Sequence, residues 1–215
     1  MTDGELHVRR LGCRPYASVL KAMQDFTDAR GLEQVDELWL VEHEPVFTQG
    51  LNGSPGHLLN PGTIPVVQTD RGGQVTYHGP GQVVVYCLID LKRGKIGVRK
   101  LVTALETSVI DLLSELGINS YAKPDAPGVY VGTTKLASLG LRVRKGCSYH
   151  GVSLNVAMDL SPFELINPCG YPGLIMGQVA DLTDDCAMQN VSDRLLRILA
   201  ERLGRKISQE TAGPP

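Results

Sequence analysis

Apolar residues recur at helical spacing in three segments of the chain. After Pro15, apolar positions at 16, 19, 20, 23 and 26 predict a first helix that Gly31 ends. The same spacing predicts a second helix over residues 101–116, closed by Gly117, and a third over roughly residues 191–203.

Continuous or alternating apolar runs predict the strands. They fall at residues 38–41, 64–67, 83–89, 128–131, 135–143 and 148–156. A charged turn, Arg144-Lys145-Gly146, joins the last two. Neighbouring strands with short connections and irregularly placed helices favour an α+β domain over regular βαβ alternation.

Composition predicts one domain of a cytosolic protein. With 215 residues, 42% of them hydrophobic, we expect a single folded domain over residues 1–204 and a loose tail over 205–215. No apolar run of membrane-spanning length and no signal peptide is evident, and five dispersed cysteines predict reduced thiols. A net charge of -2 with mixed signs gives no reason to expect nucleic acid or membrane binding.

The glycine-rich segment from Arg71 to Gln82 is the first candidate binding element. A strand is predicted to follow it, so its glycines do not present a phosphate to a helix as in a Rossmann turn or P-loop. Its four glycines (72, 73, 79 and 81) can adopt positive φ, and we expect them to let the backbone approach a substrate closely. The alternative is a long hairpin connection in which the glycines only turn the chain.

Cys169 is the second candidate, because Pro168 and Gly170 place it in a turn. An ordinary thiol is only a few per cent ionised at pH 7, so a nucleophilic role requires a neighbouring cation or base. The candidates for this partner are Lys135, His78 and His150. An inert buried thiol is the alternative for any cysteine, and it fits Cys87, which lies inside an apolar strand.

Zinc binding is disfavoured by ligand spacing. Cys147 and His150 form one close pair, but Cys169 and Cys186 are too far apart to form the second pair of a structural site. We therefore expect no metal.

Four motifs together resemble one enzyme family. They are the segment 71–82, Lys135-Leu136-Ala137-Ser138-Leu139-Gly140, His150-Gly151-Val152-Ser153-Leu154-Asn155 and Asn167-Pro168-Cys169-Gly170. In this order and spacing, they resemble the octanoyl-acyl-carrier-protein:protein N-octanoyltransferases of lipoate synthesis. The resemblance extends from about Leu38 to Gly173. It implies the fold of biotin and lipoate protein ligase catalytic domains, a mixed, largely antiparallel sheet flanked by helices.

The resemblance also implies the reaction and its residues. An octanoyl group would pass from octanoyl-acyl carrier protein to a lipoyl-domain lysine through a thioester on Cys169, with Lys135 as partner and without ATP or another cofactor. The lipoyl domains of 2-oxoacid dehydrogenase complexes and the glycine cleavage H protein would be the acceptors. The substrate-binding residues implied are Arg71, Gly72, Gly73, Gln74, Val75, Thr76, Tyr77, His78, Ser138, Leu139, Gly140, Gly151, Val152 and Ser153.

Chemical reasoning favours these roles. Thioester exchange is nearly balanced, so a cysteine keeps the donor's activation, while Lys135 would stabilise the thiolate and carry protons. An ATP-dependent lipoate or biotin ligase and a non-enzymatic adaptor remain as alternatives. Five cations between Lys92 and Lys100 suit the docking of an acidic partner, or form a solvated loop without a role. Cys13, Cys186 and the tail receive no role.

Overall fold

The computed structural model describes residues 4–213, which form three helices and two sheets. The helices are α1 (Tyr16–Ala29), α2 (Val98–Glu115) and α3 (Met188–Arg202). A left-handed Gly117 ends α2, where the Ile118 amide donates to the Leu113 carbonyl at 2.8 Å. This six-to-one bond is the Schellman ending that glycine after a helix predicts.

Eight strands form the main sheet. In chain order they are β1 (Glu5–Arg14), β2 (Asp36–His43), β6 (Gln82–Leu88), β7 (Tyr121–Ala122), β8 (Gly128–Val131), β9 (Thr134–Arg144), β10 (Cys147–Asn155) and β11 (Lys206–Ala212). Their order across the sheet is β11-β1-β2-β6-β10-β9-β8-β7. Only β1 pairs in parallel, with β2 and β11, and the other neighbours are antiparallel. The predicted mixed, largely antiparallel sheet is confirmed.

Helices cover both faces of the central strand β6. Its side chains alternate in direction, as strand geometry requires. Val85 belongs to the core cluster that contains Leu105 of α2, whereas Tyr86 belongs to the cluster that contains Met23 of α1. Burial on both faces explains why this strand is a continuous apolar run in the sequence.

A second, three-stranded sheet forms beside the main one. It consists of β3 (Val46–Gln49), β4 (Val66–Gln68) and β5 (Val75–His78), in the order β4-β3-β5. Phe47 and Tyr77 pack with Phe163 in a small core of their own. The glycine-rich segment therefore contains a strand that its pattern does not predict, because only five residues separate Gly73 from Gly79.

The predicted loose tail is wrong for residues 206–212. These residues form β11, which pairs in parallel with β1, and the Lys206 amide donates to the Gly4 carbonyl at 2.7 Å. The strand is mostly exposed and polar, so backbone bonding holds it and no apolar pattern marks it. The single domain thus continues through the end of the described chain.

Buried Asp36 anchors both this tail and part of the basic run. Its carboxylate pairs with Arg30, with Arg93 at 2.7 Å and with Arg205 at 2.9 Å. Arg93 also donates to the carbonyl of Gln34 at 2.8 Å. Arg93 is therefore a structural residue, which corrects its inclusion in the predicted docking surface. Within residues 4–213, no helix combines the length and apolar character needed to cross a membrane.

Candidate active site

Cys169 lies in a single tight turn, as its flanking residues predict. The turn runs from Pro168 to Gly170, and the Gly170 amide donates to the Asn167 carbonyl at 2.9 Å. Cys169 itself has φ 57°, a left-handed conformation that few residues other than glycine adopt. Strained backbone of this kind often occurs at functional sites, and the thiol here is partly accessible.

Lys135 lies at the beginning of β9 and its side chain reaches the thiol. Its Nζ is 3.2 Å from Cys169 Sγ and donates to the Pro127 carbonyl at 2.8 Å. Only 1% of Lys135 is exposed, so its side chain is not a solvated lysine on the protein surface. Its Nζ also lies 5.4 Å from the centre of the Tyr130 ring.

The backbone after Cys169 fixes this pair of residues. The chain turns back from the thiol and runs beside β9, where the Lys135 amide donates to Ile175 at 2.9 Å and the Gly177 amide donates to Lys135 at 3.0 Å. No carboxylate among the described residues is within ion-pair distance of Lys135. Its positive charge is thus available to the thiolate form of Cys169.

Arg71 organises the glycine-rich segment from within. The guanidinium is buried and donates to the Thr48 carbonyl at 2.7 Å, to the Gln74 carbonyl at 2.8 Å and to the Gly72 carbonyl at 3.0 Å. The Gly72 amide in turn donates to Leu141 of β9 at 2.9 Å. These bonds hold the segment against the part of β9 that extends beyond its pairing with β8.

The glycines of this segment meet two different requirements. Gly73 and Gly81 use the positive φ that glycine allows, whereas Gly72 and Gly79 do not. At Gly79 the constraint is space, because a Cβ there would lie 2.8 Å from the Tyr77 ring. Gly81 also has no room, since a Cβ would overlap the Ala157 carbonyl.

One cavity of about 600 Å³ joins the predicted motifs. Cys169, Lys135 and every predicted substrate-binding residue except Tyr77 line it. Tyr77 instead packs between Phe47 and Phe163, because it faces away from the cavity on β5. The structure therefore brings the predicted residues together, while substrate binding by each remains a prediction.

Several cavity residues were not predicted. Tyr16 at the start of α1, Tyr86 of β6, and Val98 and Val102 of α2 also line the cavity. Val98 and Val102 are four residues apart and so share one helix face, a signal that the sequence contained. Nothing local indicated Tyr16, which belongs to a helix predicted to be structural.

His150 is held by Asp70, which argues against both a metal-ligand role and a direct partnership with Cys169. Its Nε2 donates to Asp70 at 2.9 Å, and the hydroxyl of Tyr149 donates to the other carboxylate oxygen. Successive strand residues normally face opposite ways, and φ 61° at His150 brings both side chains to one side. Burial would raise the pKa of Asp70, but the hydrogen bonds from His150 and Tyr149 outweigh it and lower the pKa.

His78 lies further along the cavity and is neutral. Burial, with the nearby His43 as a lesser cause, lowers the pKa of His78 to about 3. Burial likewise lowers the pKa of His43 to about 4. A histidine of such low pKa is a poor base, so Lys135 is the partner that the geometry favours for Cys169.

Comparison with known proteins agrees with the family resemblance of the four sequence motifs. Residues 15–200 match the family model of the lipoyl protein ligase A/B catalytic domain. A protein of Chromohalobacter salexigens named octanoyltransferase is 61% identical over 205 residues, covering 95% of this chain and 92% of its own.

Two solved structures share the fold at low identity. Lipoate-protein ligase A bound with ATP superposes with a TM-score of 0.80 at 15% identity, over 97% of this chain and 89% of its own. Biotin protein ligase from Aquifex aeolicus gives 0.56 at 15% identity, over 92% and 68%. The predicted ligase-type fold is confirmed.

Proposed function

This chain belongs to the lipoyl protein ligase A/B catalytic domain family, and we propose that it is an octanoyltransferase of protein lipoylation. The acyl donor is octanoyl-acyl carrier protein, and the acceptor is a lysine of a lipoyl domain. The observation that carries the proposal is the 3.2 Å contact between Lys135 Nζ and Cys169 Sγ, two residues that line the cavity.

The first half-reaction loads the enzyme. The Cys169 thiolate attacks the thioester carbonyl of the donor, a new S–C bond forms, and the bond to the donor sulfur breaks. Lys135, as the ammonium, donates a proton to the departing thiolate and becomes the neutral amine. The product is octanoyl-Cys169, which keeps the activation of the original thioester.

The second half-reaction delivers the octanoyl group. The lipoyl-domain lysine attacks octanoyl-Cys169 through its amine, an amide forms, and the Cys169 thiolate leaves. Lys135 takes up the proton that the attacking nitrogen loses, which restores the ammonium beside the thiolate. Both steps balance without ATP.

The arrangement supports this function over the two alternatives. An ATP-dependent ligase activates its acid with nucleotide and needs no cysteine nucleophile, whereas here a thiol and a buried cation are held together. A non-enzymatic adaptor would not need a strained cysteine in contact with a lysine. High identity to a protein named octanoyltransferase further favours acyl transfer.

The finer partner assignments are part of the proposal. The acceptors are the lipoyl domains of 2-oxoacid dehydrogenase complexes and the glycine cleavage H protein. The five cysteines are free thiols, which suits a reducing compartment, and we place the enzyme in the cytosol.

Mass spectrometry tests the proposal directly. The protein is mixed with octanoyl-acyl carrier protein and apo lipoyl domain without ATP, and both proteins are analysed for octanoyl groups. We expect a hydroxylamine-sensitive adduct on Cys169 and an octanoylated lipoyl domain. Cys169→Ala should lose both products, whereas Cys186→Ala, at a half-buried cysteine outside the cavity, should keep them. An adduct on Cys147, or one that persists in Cys169→Ala, contradicts the mechanism.

A further inference from the structure

The cavity has a polar end far from Cys169. Gln74 packs against Gly170, next to the thiol. His78 is four residues after Gln74, at the end of β5, and four residues of extended strand span about 13 Å. On the opposite wall, Leu141 pairs with His150 and is six residues from Lys135, about 20 Å along β9. His78 and His150 therefore mark the end opposite the dyad.

Hydrogen bonds fix which nitrogen of His78 carries its proton. Asn155 donates through Nδ2 to the Gly177 carbonyl at 2.9 Å, so its Oδ1 accepts from Gln82 Nε2 at 2.8 Å. Gln82 Oε1 is then the acceptor that faces His78 Nδ1 at 2.7 Å. The proton is thus on Nδ1, and Nε2 of His78 presents a lone pair.

Two neighbouring side chains also present acceptors. His150 donates through Nε2 to Asp70, so its Nδ1 carries a lone pair, and this buried atom has no partner within residues 4–213. His43 Nδ1 faces the Arg14 carbonyl at 3.0 Å and must donate to it, so the Tyr86 hydroxyl donates to His43 Nε2 at 2.6 Å. The oxygen of Tyr86 keeps its own lone pairs.

Ring packing holds these groups in place. Tyr16 stacks on His78 with centroids 5.7 Å apart and planes 8° from parallel, and it meets His43 edge-on at 5.1 Å. Tyr86 meets His150 edge-on at 6.0 Å. Locked acceptors of this kind recognise a hydrogen-bond donor, which a plain hydrocarbon chain does not supply.

We propose that the His78 end of the cavity is a subsite for a hydroxyl donor, supplied by a water molecule beyond an octanoyl chain or by the terminal hydroxyl of an ω-hydroxyacyl chain. The inference rests on the proposed function, because it takes the acyl chain to extend from Cys169 along β5. With such a subsite, the polar side chains at this end of the cavity limit the length of the acyl chain, in addition to the limited space. Methylenes beyond the eighth carbon would displace the donor and leave the acceptors unpaired.

The test compares two donors within one protein. Carrier protein is loaded with octanoyl or 8-hydroxyoctanoyl groups, and kcat/KM is measured for each. In an apolar slot the hydroxyl would be buried without a partner, and the second donor would be about tenfold to a hundredfold poorer. With the subsite, we expect the two donors to agree within about threefold. Their ratio does not depend on the folded fraction of the enzyme.

Variants identify the acceptor. His78→Phe keeps an aromatic ring and removes the lone pair, and it should lower the hydroxyoctanoyl-to-octanoyl ratio at least tenfold. Tyr86→Phe, a smaller change, should lower it about threefold. His7→Phe on β1, outside the cavity, is the matched control and should leave the ratio unchanged.

The outcomes separate this inference from the proposed function. If the wild type transfers octanoyl groups well but discriminates tenfold or more against the hydroxylated donor, and His78→Phe keeps the same ratio, the subsite is refuted. If the wild type transfers neither group, the proposed function fails. Calorimetric binding of octanoate and 8-hydroxyoctanoate to the wild type and His78→Phe then decides the subsite alone, with equal ratios in both proteins refuting it.

Discussion

Lys135 and Cys169 are 34 positions apart in the chain, yet their side chains meet at 3.2 Å. The segment after Cys169 runs beside Lys135 and bonds to its amide and carbonyl. The cation and the thiol are therefore joined through backbone hydrogen bonds as well as through their side chains, which limits the freedom of either residue to move away.

Substitutions at Lys135 separate its charge from its proton transfer. Arginine keeps the positive charge but does not deprotonate, whereas methionine removes both functions. We expect Lys135→Arg to keep much of the rapid alkylation of Cys169 near neutral pH and to lose octanoyl transfer. Lys135→Met should lose both, as measured by iodoacetamide kinetics and by transfer assays. A structure of the arginine variant checks that the longer side chain has not displaced the thiol.

Near wild-type transfer by Lys135→Met, with an unshifted pH profile, would exclude Lys135 as the partner of Cys169. A histidine would then have to serve, although the low pKa of His78 argues against it.

Gly128 should be as sensitive as a catalytic residue although it has no side chain. A Cβ at this position would overlap Lys135 Cε and the Ala137 carbonyl oxygen, and would lie 3.0 Å from Lys135 Nζ. We expect Gly128→Ala to displace the ammonium and lower kcat about a hundredfold. Gly132→Ala is the matched control, because Gly132 also has positive φ but nothing lies within 4 Å of its Cβ position. If both variants lose the same activity, backbone strain and not displacement is responsible.

Chain length should affect transfer through burial in the cavity. Each buried methylene contributes about 0.8 kcal/mol, so a hexanoyl donor should lose about tenfold in kcat/KM relative to octanoyl. Longer chains should also transfer poorly, because they reach the locked rings of Tyr16 and His78. Similar kcat/KM for butanoyl, octanoyl and palmitoyl donors would contradict a bounded slot.

Stability should fall as pH falls from 6.5 toward 4. Burial lowers the pKa of His43 from 6.5 to about 4 and that of His78 from 6.5 to about 3. In this window the unfolded chain binds protons that the folded protein does not, so acid favours unfolding. Each histidine should contribute at most about 1.4 kcal/mol per pH unit. Urea unfolding at pH 7, 5.5 and 4.5 measures the slope, and a constant free energy of unfolding would refute it.

The exposed cations at the start of α2 remain a predicted docking surface. Arg99 and Lys100 are exposed and follow Val98, which lines the cavity and is itself 45% exposed. Reversing the charge of both residues should lower kcat/KM about fivefold at low salt, with little effect at high salt. Lys206→Glu on the outer strand β11 is the control. Equal salt dependence in wild type and the double variant would favour a solvated loop without a role.

The sequence predicts elements well where apolar residues are buried on a regular period. The first helix and strand β8 begin where their patterns predict, and the buried β6 differs by a single residue at each end. The strand β11 has no such period, because its bonds are to the backbone of β1 and its side chains are mostly exposed. Pattern alone cannot reveal such a pairing.

In the site too, the sequence predicts local features and not contacts between distant residues. The turn around Cys169 follows from its neighbours, since proline and glycine have local conformational preferences. Its contact with Lys135 is nonlocal, and residue chemistry alone left Lys135, His78 and His150 as candidates. The family resemblance chose among them. Arg93 shows the opposite case. It was predicted to belong to a docking surface, but it forms an ion pair with the buried Asp36, which is distant in sequence.

The parallel pairing of β11 with β1 has a consequence for synthesis on the ribosome. The first strand of the chain gains its outer neighbour only from residues 206–212, and Asp36 receives Arg205 at the same late stage. Until then β1, and not the exposed, polar β11, forms this edge of the sheet, and an unpaired strand edge is prone to association with other chains. The outer side of β1 must therefore wait, exposed or bound by a chaperone, until residues 206–212 have emerged from the ribosome.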